Sequence, residues 1–282
     1  MIEWLTNPLT YAFMQRGLLA ALMVGVLCAV IGCYVVLRSM AFLGDAMAHA
    51  VLPGIAIAYL LSANLTVGAL IAAIVVALGI SLLTRQGAVK EDTAIGILFT
   101  AALALGVALI SSIRTYAVDL SHILFGNVLG VSKGDLWLTA GVGLLVFTVM
   151  ALSYRPFLLI SFDPVLAATL RLRVEFFRTL LLVLLALTIV VSIQTVGVGL
   201  AAAMLVTPGA TAYLLTRRLP SMMVLSGLIG AVSSVIGLYA SYYLNVASGA
   251  AVVLTATLFF LLAFLFAPQR GLVTQRLRRQ TS

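Results

Sequence analysis

Apolar runs of about twenty residues follow one another along the whole chain, each separated from the next by a short polar segment. A helix rises about 1.5 Å per residue, so roughly 20 apolar residues cross a hydrocarbon layer about 30 Å thick. Such runs lie near 18–37, 41–61, 67–83, 93–112, 136–152, 179–196, 199–215, 222–244 and 249–266. Only 9% of the 282 residues are charged and 63% are hydrophobic, against roughly 25% and 45–50% in an ordinary soluble domain. No water-soluble interior hides that much apolar surface behind so few charges. The expected fold is therefore an all-α polytopic membrane protein. Runs 41–61 and 199–215 contain Gly and Pro and read as helices that break or re-enter, which leaves eight or nine transmembrane helices as the alternatives.

Basic residues accumulate on the cytoplasmic side of a membrane protein. One side collects Arg38, Arg85, Lys90, Arg155, Arg171, Arg173, Arg178, Arg217, Arg218, Arg270, Arg276, Arg278 and Arg279, and the other keeps Arg16, Arg114 and Lys133. The C-terminus is thus expected in the cytoplasm. Residues 1–16, with Trp4, Leu5, Leu9 and Tyr11, are too polar to span and lack the pattern of a signal peptide, so they read as an interfacial segment. Residues 17–268 form the transmembrane domain, and 269–282 a basic cytoplasmic tail suited to anionic lipid or a partner protein. The net charge of +8 reflects this topology, and no clustered basic face on a soluble domain is available for nucleic acid. The two cysteines, Cys28 and Cys33, share one apolar run, which excludes a disulfide scaffold and a multi-cysteine metal cluster.

Of the eight acidic residues, Asp45 alone falls inside an apolar run. A carboxylate costs about 2.5–3.5 kcal/mol at the centre of a spanning helix and less near its end, so a compensating partner is expected. His49 follows four residues later, on the same helix face. Pro53 follows four further on; without an N–H it leaves the His49 carbonyl short of its helical donor. Carboxylate, imidazole and carbonyl make a mixed oxygen and nitrogen set suited to Mn, Fe or Zn, where Mg and Ca prefer oxygen alone. The other reading is a polar latch in which Asp45 and His49 bond each other or a neighbouring helix. One helix supplies only two side-chain ligands, so the metal reading requires a second copy of the chain across a symmetry axis.

No Walker A or HExxH pattern occurs in the chain, which is therefore expected to have no ATPase site of its own. Between residues 154 and 178 lies its longest well-charged connection. Within it Asp163 and Pro164 read as N-cap and first residue of a short helix, inside 161–175, that faces the cytoplasm as a docking element or rests on the membrane surface. On the opposite side, Asp119 and His122 are spaced to touch an entering cation or to cap a short helix. Gly197, Gly199, Pro208 and Gly209 mark helix breaks beside a pore, or else close helix packing.

Five segments in this order resemble the membrane permease subunits of manganese, zinc and iron ABC importers. They are Gly44-Asp45-Ala46-Met47-Ala48-His49 continuing to Pro53-Gly54, Glu91-Asp92-Thr93-Ala94-Ile95-Gly96-Ile97, His122-Ile123-Leu124-Phe125-Gly126-Asn127, Phe162-Asp163-Pro164 and Thr207-Pro208-Gly209-Ala210-Thr211-Ala212. The resemblance covers nearly the whole chain, with two departures: Gly209 stands where alanine commonly follows the proline, and Asn245 where relatives often carry an acidic residue. It implies a bacterial plasma-membrane permease, working as a homodimer with two cytoplasmic ABC ATPase subunits and an extracellular or periplasmic metal-binding protein. It also implies that Asp45 and His49 line the metal path, and that Phe162, Asp163, Pro164, Leu166 and Leu170 form the coupling helix in the ATPase cleft. The segments around His49 and His122 look more like the manganese and iron members than the zinc members. The expected cargo is Mn2+, with Fe2+ or Zn2+ as alternatives and no permanently bound cofactor.

Two further classes remain open from the residues alone. A membrane-embedded metalloenzyme needs three protein ligands and a general base, which the apolar runs do not supply. A proton-coupled metal carrier would use Asp45 as its proton group.

Overall fold

In the computed structural model, residues 7–85, 87, 89–112, 128–267 and 271 are described, and among them every regular element is helical. The long helices are α1 (Ala12–Leu37), α4 (Leu65–Thr84), α5 (Glu91–Ser111), α6 (Lys133–Leu152), α9 (Val174–Val196), α10 (Val198–Leu215), α11 (Leu219–Leu244) and α12 (Ser248–Phe266). Between α1 and α4 the run that carries Asp45 folds as two pieces, α2 (Leu43–Ala50) and α3 (Leu52–Leu60), which together have the length of one crossing. Nine candidate spans therefore lie among the described residues. Two short helices, α7 (Tyr154–Phe162) and α8 (Pro164–Thr169), occupy the connection between α6 and α9.

Where the expected spans stop at a charge, the helices continue. α1 starts at Ala12 and includes Arg16, α6 includes Lys133 and Asp135, and α9 includes Glu175 and Arg178. Backbone hydrogen bonding does not end where the hydrocarbon ends, and long charged side chains reach the headgroup layer from the last turn. Of residues 1–16, the described part forms a turn at Pro8–Thr10, the exposed Tyr11 and the first residues of α1, and residues 1–6 lie outside the described residues. The basic tail, residue 271 apart, lies outside the described residues beyond Ala267.

Local signals fix the helix ends. Asn64 accepts from the Thr66 and Val67 N–H groups to cap α4, and Ser132 with Asp135 forms a reciprocal capping box on α6. At the end of α1, Ser39 takes a left-handed φ of 58°, the Ser39 N–H donates to Val36 O and the Met40 N–H to Val35 O. This Schellman closure turns the chain sharply toward α2. Of the two runs expected to break, only that of Asp45 does so, at Val51. Pro53 in the first turn of α3 costs no hydrogen bond there. α10 runs unbroken through Pro208, and the break on that side falls before it, at Gly197 with φ 88°.

α1 is the central post, packed against α9, α10 and α11. Apolar helices gain nothing by leaving lipid for one another, so close approach and hydroxyl contacts must hold them. At Gly32 the Leu205 carbonyl of α10 comes so near that an added Cβ would sit 1.7 Å from its oxygen. Gly25 meets Gly230 of α11 in the same manner. Ser226 donates to Ala29 O at 2.7 Å and Ser234 to Ala21 O at 2.9 Å, binding α11 to α1. Cys28 and Cys33 are free and buried in this post.

Candidate metal centre

Asp45 lies in the first turn of α2 and His49 in its last. The helix dipole favours negative charge at the first position and positive charge at the second. His49 Nε2 stands 3.7 Å from Asp45 Oδ1, beyond hydrogen-bond range, and the side chains are 29% and 51% exposed. The two side chains are thus part-open on one face of the helix and make no hydrogen bond to each other. Behind them, Phe99 of α5 holds its ring 6.1 Å from the His49 ring and 5.6 Å edge-on from Phe42. α2 also rests on α10, where Gly44 faces Leu205. The carbonyl expected to be freed by Pro53 is partly occupied, since the Val51 N–H that caps α2 turns back to His49 O.

Among the described residues no third His, Cys, Asp or Glu joins Asp45 and His49. Transition-metal ions take four to six ligands, more than the two side chains of this face supply. Asp119 and His122 lie outside the described residues. Pro208 is buried in α10, and a Cβ on its neighbour Gly209 would touch Gly32 and Val36 of α1 at 3.3 Å, so this pair of residues serves close packing.

At the helix ends nearest α2 lies an ion cluster that spacing along the chain does not reveal. Glu91, in the first turn of α5, accepts from Arg38 Nη2 at 3.0 and 3.1 Å and from Arg178 Nε at 3.1 Å. The three side chains are between 11% and 20% exposed. Burial pushes the Arg38 guanidinium below its ordinary pKa, and Glu91 beside it offsets part of that shift. Glu91 is visible in the sequence as part of a motif, but its partners lie 53 and 87 residues away.

On the same side, Asp163 Oδ1 accepts from the Val165 and Leu166 N–H groups at 3.1 and 2.9 Å, and Pro164 opens α8. Phe162, Val165, Leu166 and Leu170 are exposed around this helix, while Ala167 is buried beneath it.

The sequence pattern of the ABC 3 transport family matches residues 10–267. The chain belongs to the ABC 3 transport family. Among ABC 3 relatives, it is 52% identical over 95% of its length to the manganese transport system membrane protein MntC of Halalkalibacterium halodurans, covering 91% of that protein. It is 41% identical to an iron transport system membrane protein of Haemophilus influenzae, over 96% of this chain and 99% of that one. Among solved structures, PsaBC from Streptococcus pneumoniae in complex with Fab superposes with a TM-score of 0.84 at 40% identity over the whole of both chains. The fold alone is shared with an inward-facing metal-chelate type ABC transporter, at TM-score 0.70 and 17% identity over 90% of this chain and 86% of that one.

Proposed function

We propose that this chain is the permease subunit of an ATP-driven importer that carries Mn2+ across the bacterial plasma membrane. The observation that carries the reading is the Asp45 and His49 pair, part-exposed and unbonded to each other on one face of α2 in a chain of this family. A lone pair of donors holds a divalent ion poorly. Two copies facing each other bring two carboxylates and two imidazoles to a common path, and this supports a homodimer. The names of the manganese relatives support Mn2+ as cargo, and the iron relatives make Fe2+ the second reading. Ligand type alone would favour Zn2+ over either, so selection rests on geometry and availability.

In this reading the ends of the bundle that carry Arg38, Glu91, Arg178 and the tail face the cytoplasm. Separate ABC ATPase subunits hydrolyse ATP and receive Phe162, Val165, Leu166 and Leu170 in a cleft, and an external metal-binding protein delivers the ion. Import requires the Asp45 and His49 pairs to differ between outward and inward states, because a ligand held equally by two states shifts neither. The test is uptake of Mn2+ into sealed vesicles holding the permease with its ATPase, with Fe2+ and Zn2+ as competitors. ATP-dependent uptake that Mn2+ saturates first is the expected result; uptake that ignores ATP and follows a proton gradient would overturn the reading.

A further inference from the structure

Glu91 joins three segments that the proposed transport cycle must move together. Arg38 caps α1 and immediately precedes the Ser39 turn that launches α2 with Asp45 and His49. Glu91 itself begins α5, which places Phe99 behind His49. Arg178 lies in the second turn of α9, directly after the exposed α8. A displacement of α8 therefore reaches α2 through one carboxylate.

Hydrogen-bonding capacity at this junction is unevenly spent. Five buried side-chain polar atoms among the described residues have no hydrogen-bond partner, and four of them are Tyr34 Oη, Arg38 Nη1, Ser161 Oγ and Glu175 Oε2. They come from α1, its cap, α7 and α9, which meet at this end of the bundle: Tyr34 packs edge-on against Phe157 of α7 at 5.7 Å, and Phe157 against Phe177 of α9 at 6.2 Å. Glu175 is near enough for its charge to act on Arg38. Arg38 thus has one amino group bonded to Glu91 and another buried without an acceptor, while Glu175 has a buried oxygen without a donor. Unpaired groups of this kind are costly in a low-dielectric setting. The donor that Glu175 lacks and the acceptor that Arg38 lacks are the groups the two side chains would offer each other.

We infer that Arg38 is a positioning residue of transport that exchanges partners, bonding Glu91 in one state and Glu175 in the other, so that movement of α7 and α8 resets α2 and its Asp45 and His49 pair. Two discrete pairings give the bistable element that coupling between distant sites requires. The inference rests on the permease reading above. Glu91 and Arg178 form the fixed side of the joint, and Glu175 its second seat.

The experiment measures Mn2+ ions imported per ATP hydrolysed by the reconstituted complex of permease and ATPase, because that ratio does not depend on how much complex is folded. Glu175→Gln leaves every observed ion pair intact, and it is expected to lower the ratio roughly ten-fold while ATP hydrolysis continues. Glu91→Gln is expected to do the same, and Thr179→Val, beside the cluster but outside it, to leave the ratio unchanged. An unaltered ratio in Glu175→Gln overturns the exchange, whether or not Glu91→Gln assembles. Equal losses of uptake and hydrolysis in both variants overturn it as well, since they assign the cluster a merely structural part. Absence of ATP-driven Mn2+ uptake by the unmodified complex would instead remove the permease reading.

Discussion

Asp45 Oδ1 and His49 Nε2 stand 3.7 Å apart on one turn of α2, close enough to share an ion and too far to satisfy each other by a hydrogen bond. The distance bears on the two readings of this pair. A latch would bring donor and acceptor to about 3 Å and bury both, whereas half of the Asp45 side chain is open. Asp45→Asn keeps the shape and removes the charge, and His49→Ala removes the nitrogen. Loss of groups that merely support metal ligands costs about 10–100-fold in affinity. Each variant should therefore lower Mn2+ uptake at limiting metal by roughly 100-fold or more, without loss of the folded permease in detergent. Uptake assays alongside size-exclusion profiles check both halves of the expectation.

Phe99 acts on the same site from behind. Its ring stands 6.1 Å from the imidazole and meets Phe42 edge-on at 5.6 Å, so it borders the space that the His49 side chain occupies. Phe99→Ala leaves the two donors in place but loosens one of them. The apparent KM for Mn2+ should rise roughly ten-fold, as for other supporting groups, with a smaller change in the maximal rate. Phe99→Leu, which restores bulk without a flat ring, should fall between. A maximal rate that collapses while KM stays constant would place Phe99 elsewhere in the cycle.

Asp163 tests the docking end. Its carboxylate satisfies two N–H groups at the start of a helix only six residues long, where little else sets the direction of the chain. Loss of an N-cap costs about 1 kcal/mol. In so short a helix that cost frees Val165 and Leu166 from their exposed positions. Asp163→Ala should thus weaken pull-down of the ATPase subunit and lower ATP-driven uptake together, while Asp163→Asn, which still caps, should retain most of both. Insertion and melting of the permease alone should change little, because α8 buries little beyond Ala167.

The reach of sequence reasoning here follows from which forces are local. Apolar runs report the solvent, so the spans are legible, and the Pro53 and Asp163 signals act within a few residues, so the break at Val51 and the start of α8 are legible too. Helix ends are not, because α5, α6 and α9 carry Glu91, Lys133 and Glu175 past the hydrocarbon edge. Asp45 and His49 stand out because charge is expensive in lipid. Phe99 and the Arg38–Glu91–Arg178 cluster do not, since an aromatic in an apolar helix and ions at span ends are ordinary in sequence and acquire meaning only when α1, α2, α5 and α9 meet. Pro208 misleads for a related reason: a proline within a helix signals a break, yet α10 continues through it in close contact with α1.

That contact yields a prediction which does not depend on transport. Gly32 and Gly209 face each other across the crossing of α1 and α10, but the space at each differs. A Cβ on Gly32 would lie 1.7 Å from the Leu205 oxygen and 2.8 Å from its carbonyl carbon, and backbone cannot turn aside as a side chain can. A Cβ on Gly209 would meet Gly32 and the Val36 methyl at 3.3 Å, a few tenths of an ångström too near. Gly32→Ala must force the helices apart and forfeit packing along the crossing, at a cost of about 3 kcal/mol or more. Gly209→Ala sets that slight crowding against a gain in helix propensity of about 1 kcal/mol, for a net change close to zero. Melting of the two variants in detergent should accordingly diverge, with Gly32→Ala losing many degrees or failing to accumulate and Gly209→Ala remaining near the unmodified protein. Equal melting temperatures for the two would mean that α1 and α10 do not cross as closely as the Gly32 and Leu205 contact requires.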